Sequence, residues 1–237
     1  METSLHQQLK HRYAAESGDT EVVLGPYRID AVRGDELIEI QCAGLSAIRD
    51  KCRDLLKRHK LRVVKPVIER TRIAKAKKRG GKVQSSRMSP KRGSVVDVFE
   101  DLIYFTKVFP HRNLVIEVPL MHVIETRIPR GKSRRRRWQK DYRVDDVELE
   151  SMGESYHFST AADLLAIVNV PAGTTEFNTS DLAKWIDRPR WVAQKIAYVL
   201  RHTGAITTNR RQRSGIVYRV DTQTTTAEFV GTTRRTA

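Results

Sequence analysis

The segment from Tyr27 to Gln41, Tyr-Arg-Ile-Asp-Ala-Val-Arg-Gly-Asp-Glu-Leu-Ile-Glu-Ile-Gln, limits the folds open to this chain more than any other stretch. Gly34-Asp35 separates two alternating runs, and Gly followed by Asp suits a two-residue hairpin turn because glycine takes a positive φ without steric cost. With those two residues as the loop, Arg33 pairs with Glu36 and Asp30 falls opposite Glu39. Directly opposed side chains have Cβ atoms about 4.5–5.5 Å apart, and two like charges there destabilise the pair. The pattern therefore asks for a compensating cation. Period-two alternation sets Gln41 on the face of Glu39, with Ile38, Ile40 and Cys42 on the other. A solvated polar face, with Arg28 across from Gln41 offsetting both acids, is the alternative.

The flanks extend this hairpin into a domain. Leu5, Leu9 and Tyr13 recur at helical spacing from Thr3 to about Ala15, and Glu21–Leu24 reads as a strand. Tyr27–Arg33 and Glu36–Cys42 follow as strands. Leu45, Ile48, Cys52, Leu55 and Leu56 then mark one face of a helix running to about His59, and Leu61–Ile68 is a β-branched strand. The order is αβββαβ. Asp30, followed after eight intervening residues by Glu39-Ile40-Gln41 on the next strand, resembles in this setting the PD-(D/E)XK nuclease superfamily, whose motif is Asp then Glu-x-Lys. The resemblance covers residues 1–68 and implies a restriction-endonuclease-like α/β (α+β) core cleaving DNA with Mg²⁺ or Mn²⁺. Asp30 and Glu39 would hold the ion and Gln41 would orient the attacking water. Gln41 stands where Lys is usual, so Lys51 on the following helix is the candidate for the positive charge. A surface lysine whose stem covers the helix is the other reading of Lys51. Glu2 and Glu21, on the first helix and first strand, are candidate extra acids, with an ordinary exposed residue the other reading of each. Leu5-His6-x-x-Leu9-Lys10, Ile38-Glu-Ile-Gln41 and Ser89-Pro-Lys-Arg-Gly-Ser94 are similar to motifs of a family of uncharacterised bacterial proteins.

Residues 69–156 read as a basic insertion packing on that core. From Arg70 to Arg92 the composition turns to Lys, Arg, Gly and Ser with no acid, which predicts a solvated basic arm. Val95–Phe109 returns to helical spacing, Asn113–Ile128 alternates like a long strand, and Tyr142–Leu149 is strand-like. Between the last two lies a second basic run containing Arg134, Arg135, Arg136 and Arg137 beside Trp138, so a basic hairpin is expected.

Residues 157–220 change character. Helical spacing at Thr160–Val168, a helix opened by Thr179 or Ser180, a turn at Asp187-Arg-Pro, a helix at Arg190–Arg201 stopped by Gly204, and a hairpin from Ala205 to Val220 give the element order of a winged helix. Arg188, Arg190, Gln194 and Lys195 would enter the major groove, with Trp191 either a core residue or a base contact. Arg210, Arg211 and Arg213 at the hairpin tip would follow phosphate. A protein-docking module is the alternative use of this fold. Residues 221–237 read as a disordered Thr-rich tail.

Composition selects the partner. Lys plus Arg number 44 against 28 Asp plus Glu, a formal charge of +16, which points to a polyanion. DNA is expected ahead of RNA, whose aromatic reading motifs are missing; a homodimer is a second open association. No stretch approaches the roughly 20 apolar residues of a membrane span and the start lacks a secretory pattern, so a cytoplasmic, nucleoid-associated protein without a membrane partner is expected. Cys42 and Cys52 read as buried thiols. The seven histidines show no pairing suited to zinc. A non-catalytic DNA-binding protein with a degenerate nuclease fold is the second functional reading.

Overall fold

The computed structural model describes residues 3–14, 19–130, 141–213 and 215–220, and it is a mixed α/β structure with a mostly β core. The chain divides into two compact units, 1–159 and 160–237. Among the described residues no helix is long and apolar enough to cross a membrane.

The first unit opens with α1 (Ser4–Ala14), β1 (Thr20–Leu24), β2 (Tyr27–Arg33) and β3 (Glu36–Ile40). Gly34 takes φ +59 at the β2–β3 turn, and Arg33 pairs with Glu36, the register that a two-residue loop dictates. A 3₁₀ turn (Leu45–Ile48) and α2 (Arg49–Leu55) then lead to β4 (Lys60–Val64), parallel to β3. The helix is shorter than the expected Leu45–His59, because its first turn is 3₁₀ and its last residues leave the α-helical pattern.

Residues beyond 68 are part of the same sheet. β5 (Val67–Ala76) and β6 (Val83–Met88) form an antiparallel ribbon where a solvated arm was expected. β5 is recruited because it continues β4: its partners on β7 (Leu114–Pro129) keep one offset, from Leu61↔Leu114 through Val64↔Glu117 to Val67↔Leu120. Pro66 lacks an N–H and interrupts the strand, but Lys65 N–H still donates to Glu117 O at 2.8 Å, so the register survives. The expected strand Leu61–Ile68 is thus the middle of a longer one. β8 (Tyr142–Phe158) pairs with the other edge of β7, and the sheet runs β1-β2-β3-β4-β7-β5-β6 with β8 on β7. The helical spacing at 95–109 yields a 3₁₀ turn (Val95–Val98) and the single-turn α3 (Phe99–Leu102). The expected run Arg134–Arg137 and tail 221–237 lie outside the described residues.

Alternation gives this sheet two apolar faces. Leu5 and Leu9 of α1 pack with Ala31, Ile38, Ile40, Val64, Met121 and Val123. Leu37, Glu39, Leu61 and Val63 alternate with those positions and point the other way, where α2 brings Cys52, Leu55 and Leu56 into the core.

The second unit contains α4 (Ala161–Ala166), β9 (Glu176–Asn178), α5 (Thr179–Trp185), α6 (Arg190–His202), β10 (Ile206–Gln212) and β11 (Gly215–Val220). Asn178 caps α5, accepting from the N–H groups of Ser180 and Asp181, one residue before the expected cap. Val192, Ile196, Val199 and Leu200 bury one face of α6, and Gly204 takes φ +85 just after it. The short β9 pairs with β11, giving a three-stranded sheet β10-β11-β9.

Candidate functional site

The β2–β3 ladder opens beyond Ala31↔Ile38, and side chains take over from backbone where it does. Ile40 N–H donates to Asp30 Oδ2 at 2.8 Å, while the Asp30 N–H supports the Glu39 carboxylate. The two acids are thereby fixed at the mouth of the splayed strands. Beyond it Gln41 leaves the strand: its N–H donates to Val64 O and its Nε2 to Gly44 O at 3.2 Å. Gln41 is committed to the loop that follows β3 and not to the acid pair.

Each acid meets its own lysine. Lys51 reaches across from α2 and its Nζ donates to Glu39 Oε1 at 2.5 Å and to Arg28 O. Lys10 of α1 lies 3.2 Å from Asp30 Oδ1 and donates to Glu21 Oε1 at 2.7 Å, and His6 Nε2 is 3.6 Å from Asp30 Oδ2. Burial alone would raise the Asp30 carboxyl, but His6, the Ile40 N–H and Lys10 outweigh it and hold the group below its ordinary value. Glu39 goes the other way: only 4% exposed, its carboxyl is pushed up by burial and by Asp30 against the pull of Lys51. One acid is firmly ionised and the other sits in a drier place. No group of three or more His, Cys, Asp or Glu suited to a metal occurs among the described residues.

His6 and Lys10 were not singled out for this site, although the spacing signal was present. They stand four apart beside Leu5 and Leu9, so they share the border of the buried face of α1. Lys65 was missed as well. It is 7% exposed, donates to Ala43 O at 2.8 Å and pairs with Asp101 Oδ2 at 3.0 Å, pinning the loop after β3 to α3. Nothing in its sequence context distinguishes it from neighbouring exposed lysines. Glu21 is taken by Lys10 and Arg28, and Glu2 lies outside the described residues. Cys52 is buried as expected, its thiol pushed up to about 12 by burial and by Glu39, whereas Cys42 is exposed because the chain has left the sheet there.

In the second unit α6 exposes Trp191 (54%) and Tyr198, so of the two readings of Trp191 the core one does not hold. Lys195 Nζ stands 4.7 Å from the Trp191 ring centroid, and Gln194 is exposed on the same helix. Arg190 is exposed, with its Nε donating to Thr179 Oγ1 at 3.1 Å and its guanidinium beside Gly215. Arg188 is half-buried, and Arg210, Arg211 and Arg213 are exposed on the β10–β11 hairpin, Arg210 pairing with Glu176 at 2.9 Å.

Residues 3–159, nearly the whole first unit, match the family described as Domain of unknown function (DUF8091). An uncharacterized protein of Treponema pallidum (strain Nichols) is 29% identical over 166 residues, covering 69% of this chain and 64% of that protein. The chain thus spans less than two thirds of that relative's length. No solved structure matches the chain.

Proposed function

The chain belongs to the DUF8091 family, and from that premise we propose that its first unit is a divalent-metal phosphodiesterase acting on DNA, with the second unit a winged helix that binds the substrate. One observation carries the reading: at the open end of the β2–β3 ladder Ile40 N–H holds Asp30 and Asp30 N–H supports Glu39, while Lys51 of α2 pairs with Glu39. A restriction-endonuclease-like core would use such a set, with Lys51 in place of the lysine that Gln41 replaces.

The donor set fits Mg²⁺ or Mn²⁺. Both acids offer oxygen alone, and such ions need one or two carboxylates with water and phosphate completing the shell. Asp30 is ionised at neutral pH, and Lys10 and Lys51 now hold against the acids the positive charge that an ion would share. Bound there, the ion would supply a water of lowered pKa and stabilise charge on the phosphate. Lys51 would neutralise the scissile phosphate, and Gln41 would hold the loop 41–44 in place instead of orienting water. Exposed Gln194, Arg211 and Arg213, and the charge of +16, support DNA as the polyanion.

The pairing of each acid with its own lysine favours a second reading, a DNA-binding protein in which these are permanent ion pairs and nothing is cleaved. Incubating supercoiled plasmid with the full chain in Mg²⁺ or Mn²⁺, beside Asp30→Ala and Glu39→Ala, separates the two. Nicking by the wild type that both substitutions abolish supports the enzyme. No nicking, or nicking that survives both, leaves the binding protein.

A further inference from the structure

The motif Ser89-Pro-Lys-Arg-Gly-Ser94 has no part in the site just described, yet the fold seats it with care. β4 and β5 present one continuous edge; β3 pairs with it as far as Val64 and β6 from Arg72 onward. The motif lines the gap between them. Ser89 N–H donates to Thr71 O at 2.8 Å and Gly93 N–H to Glu69 O at 3.1 Å. Only glycine fits at 93, because a Cβ there would stand 2.3 Å from Ile68 O. Ser94 and Asp97 then close a capping box that starts the next turn. Lys91 and Arg92 are thus held on an anchored segment and remain exposed.

They continue a larger basic surface. From Arg70 to Arg92 the sequence carries ten Lys or Arg and no acid. Acids of β8 neutralise two of them, Arg72 through Glu150 and Arg79 through Asp145. Lys75, Lys82, Lys91 and Arg92 are exposed and make no ion pair among the described residues. All six residues of β6 are exposed. Lysines on an edge strand can serve merely to block edge-to-edge pairing, but Lys82 precedes β6, and Lys91 and Arg92 follow it, where no strand edge needs blocking.

We propose that the β5–β6 ribbon and the Ser89–Ser94 segment form a phosphate-binding track for duplex DNA, leading along one strand edge toward the mouth that holds Asp30 and Glu39. The edge from Val64, where β3 ends, to Glu69, where Gly93 is anchored, is five residues, roughly 17 Å at about 3.3 Å per residue. That is about half a turn of duplex, whose turn is roughly 34 Å. Phosphates flanking the candidate site by that distance are what Lys91 and Arg92 would hold. A two-stranded ribbon is also of a size that the major groove admits.

This inference rests on the reading that the chain binds DNA, and salt dependence tests the two separately. Affinity of the full chain for a fluorescent duplex is measured from low to moderate salt for the wild type, for Lys75→Gln/Lys82→Gln/Lys91→Gln/Arg92→Gln, and for a charge-matched control, Arg53→Gln/Lys57→Gln/Arg58→Gln/Lys107→Gln. Each phosphate contact contributes about 0.9 to the slope of log K against log salt. The track variant should lose roughly 3–4 of slope at four contacts, and the control should keep the wild-type slope. Equal loss in both variants would assign the effect to net charge and overturn the track, as would an unchanged slope. A wild type that binds no duplex overturns both readings, and preference for RNA or for anionic vesicles over duplex overturns the track as stated.

Discussion

Replacing Lys51 by Met removes the cation from Glu39 while keeping most of the apolar stem. Glu39 is 4% exposed, and the Lys51 ammonium lies 2.5 Å from its Oε1. Stripping one partner from a buried pair costs about 3–5 kcal/mol. The Lys51 side chain keeps 19% of its surface in solvent, and Glu39 can take up a proton, so the loss should sit near the lower end, about 3 kcal/mol at neutral pH. Burial already holds the Glu39 carboxyl above its ordinary value, and losing the lysine pushes it further up. A carboxyl whose folded pKa exceeds its unfolded one binds more protons when folded, so its contribution to stability falls as pH rises from the unfolded value through the folded one. Lys51→Met should therefore lose more stability at pH 8 than at pH 5. Urea unfolding of the full chain can be followed locally by pyridyl-disulfide labelling of buried Cys52 in a Cys42→Ser background. Adding Glu39→Gln should recover most of the loss and flatten its pH dependence. A loss below about 1 kcal/mol, the scale of an exposed pair, or the same loss at both pH values, would refute the reasoning.

Other substitutions probe the frame around the site. Gly93→Ala should destabilise the first unit by about 1–3 kcal/mol, the cost of overpacking, since the new Cβ meets Ile68 O; Cys52 labelling in urea reads it. Burial would raise the Glu117 carboxyl, but His157, Tyr13 and Arg62 outweigh it and hold it down to about 2. A depressed carboxyl stabilises the fold above its unfolded pKa and loses that contribution as pH falls toward the folded value. Glu117→Gln should thus cost about 3 kcal/mol at pH 7, a difference that shrinks as pH drops from about 4.5 to about 2 in an acid titration. Trp191 is exposed beside Lys195, so duplex DNA should quench tryptophan fluorescence of the full chain and Trp191→Phe should remove most of the change; unaltered quenching would take α6 out of the interface.

The register of the hairpin was legible because a two-residue turn leaves little freedom. Gly34-Asp35 sets Arg33 against Glu36, and period-two alternation then separates Glu39 from Ile38 and Ile40. What could not be read was long range. Residues 70–88 look like a solvated arm by composition, but their backbone groups pair because β5 continues β4 along β7, a partner more than forty residues later in the chain. Lys51 was reached through the family resemblance and Lys10 shares a helix border with His6, but how near either comes to the acids depends on how its helix packs on the sheet. The two readings of Trp191 stayed open for a similar reason: only packing shows that the face of α6 filled by Val192, Ile196, Val199 and Leu200 is complete without it.

The claim that Asp30 and Glu39 form a divalent-cation site is tested most directly by titrating the full chain with Mn²⁺ and following the electron paramagnetic resonance signal of the free ion. The account predicts uptake of Mn²⁺ by the wild type that Mg²⁺ competes away and that Asp30→Asn and Glu39→Gln each abolish. Absence of uptake, or uptake unchanged in both variants, would contradict it and leave Lys10 and Lys51 as the permanent partners of the two acids.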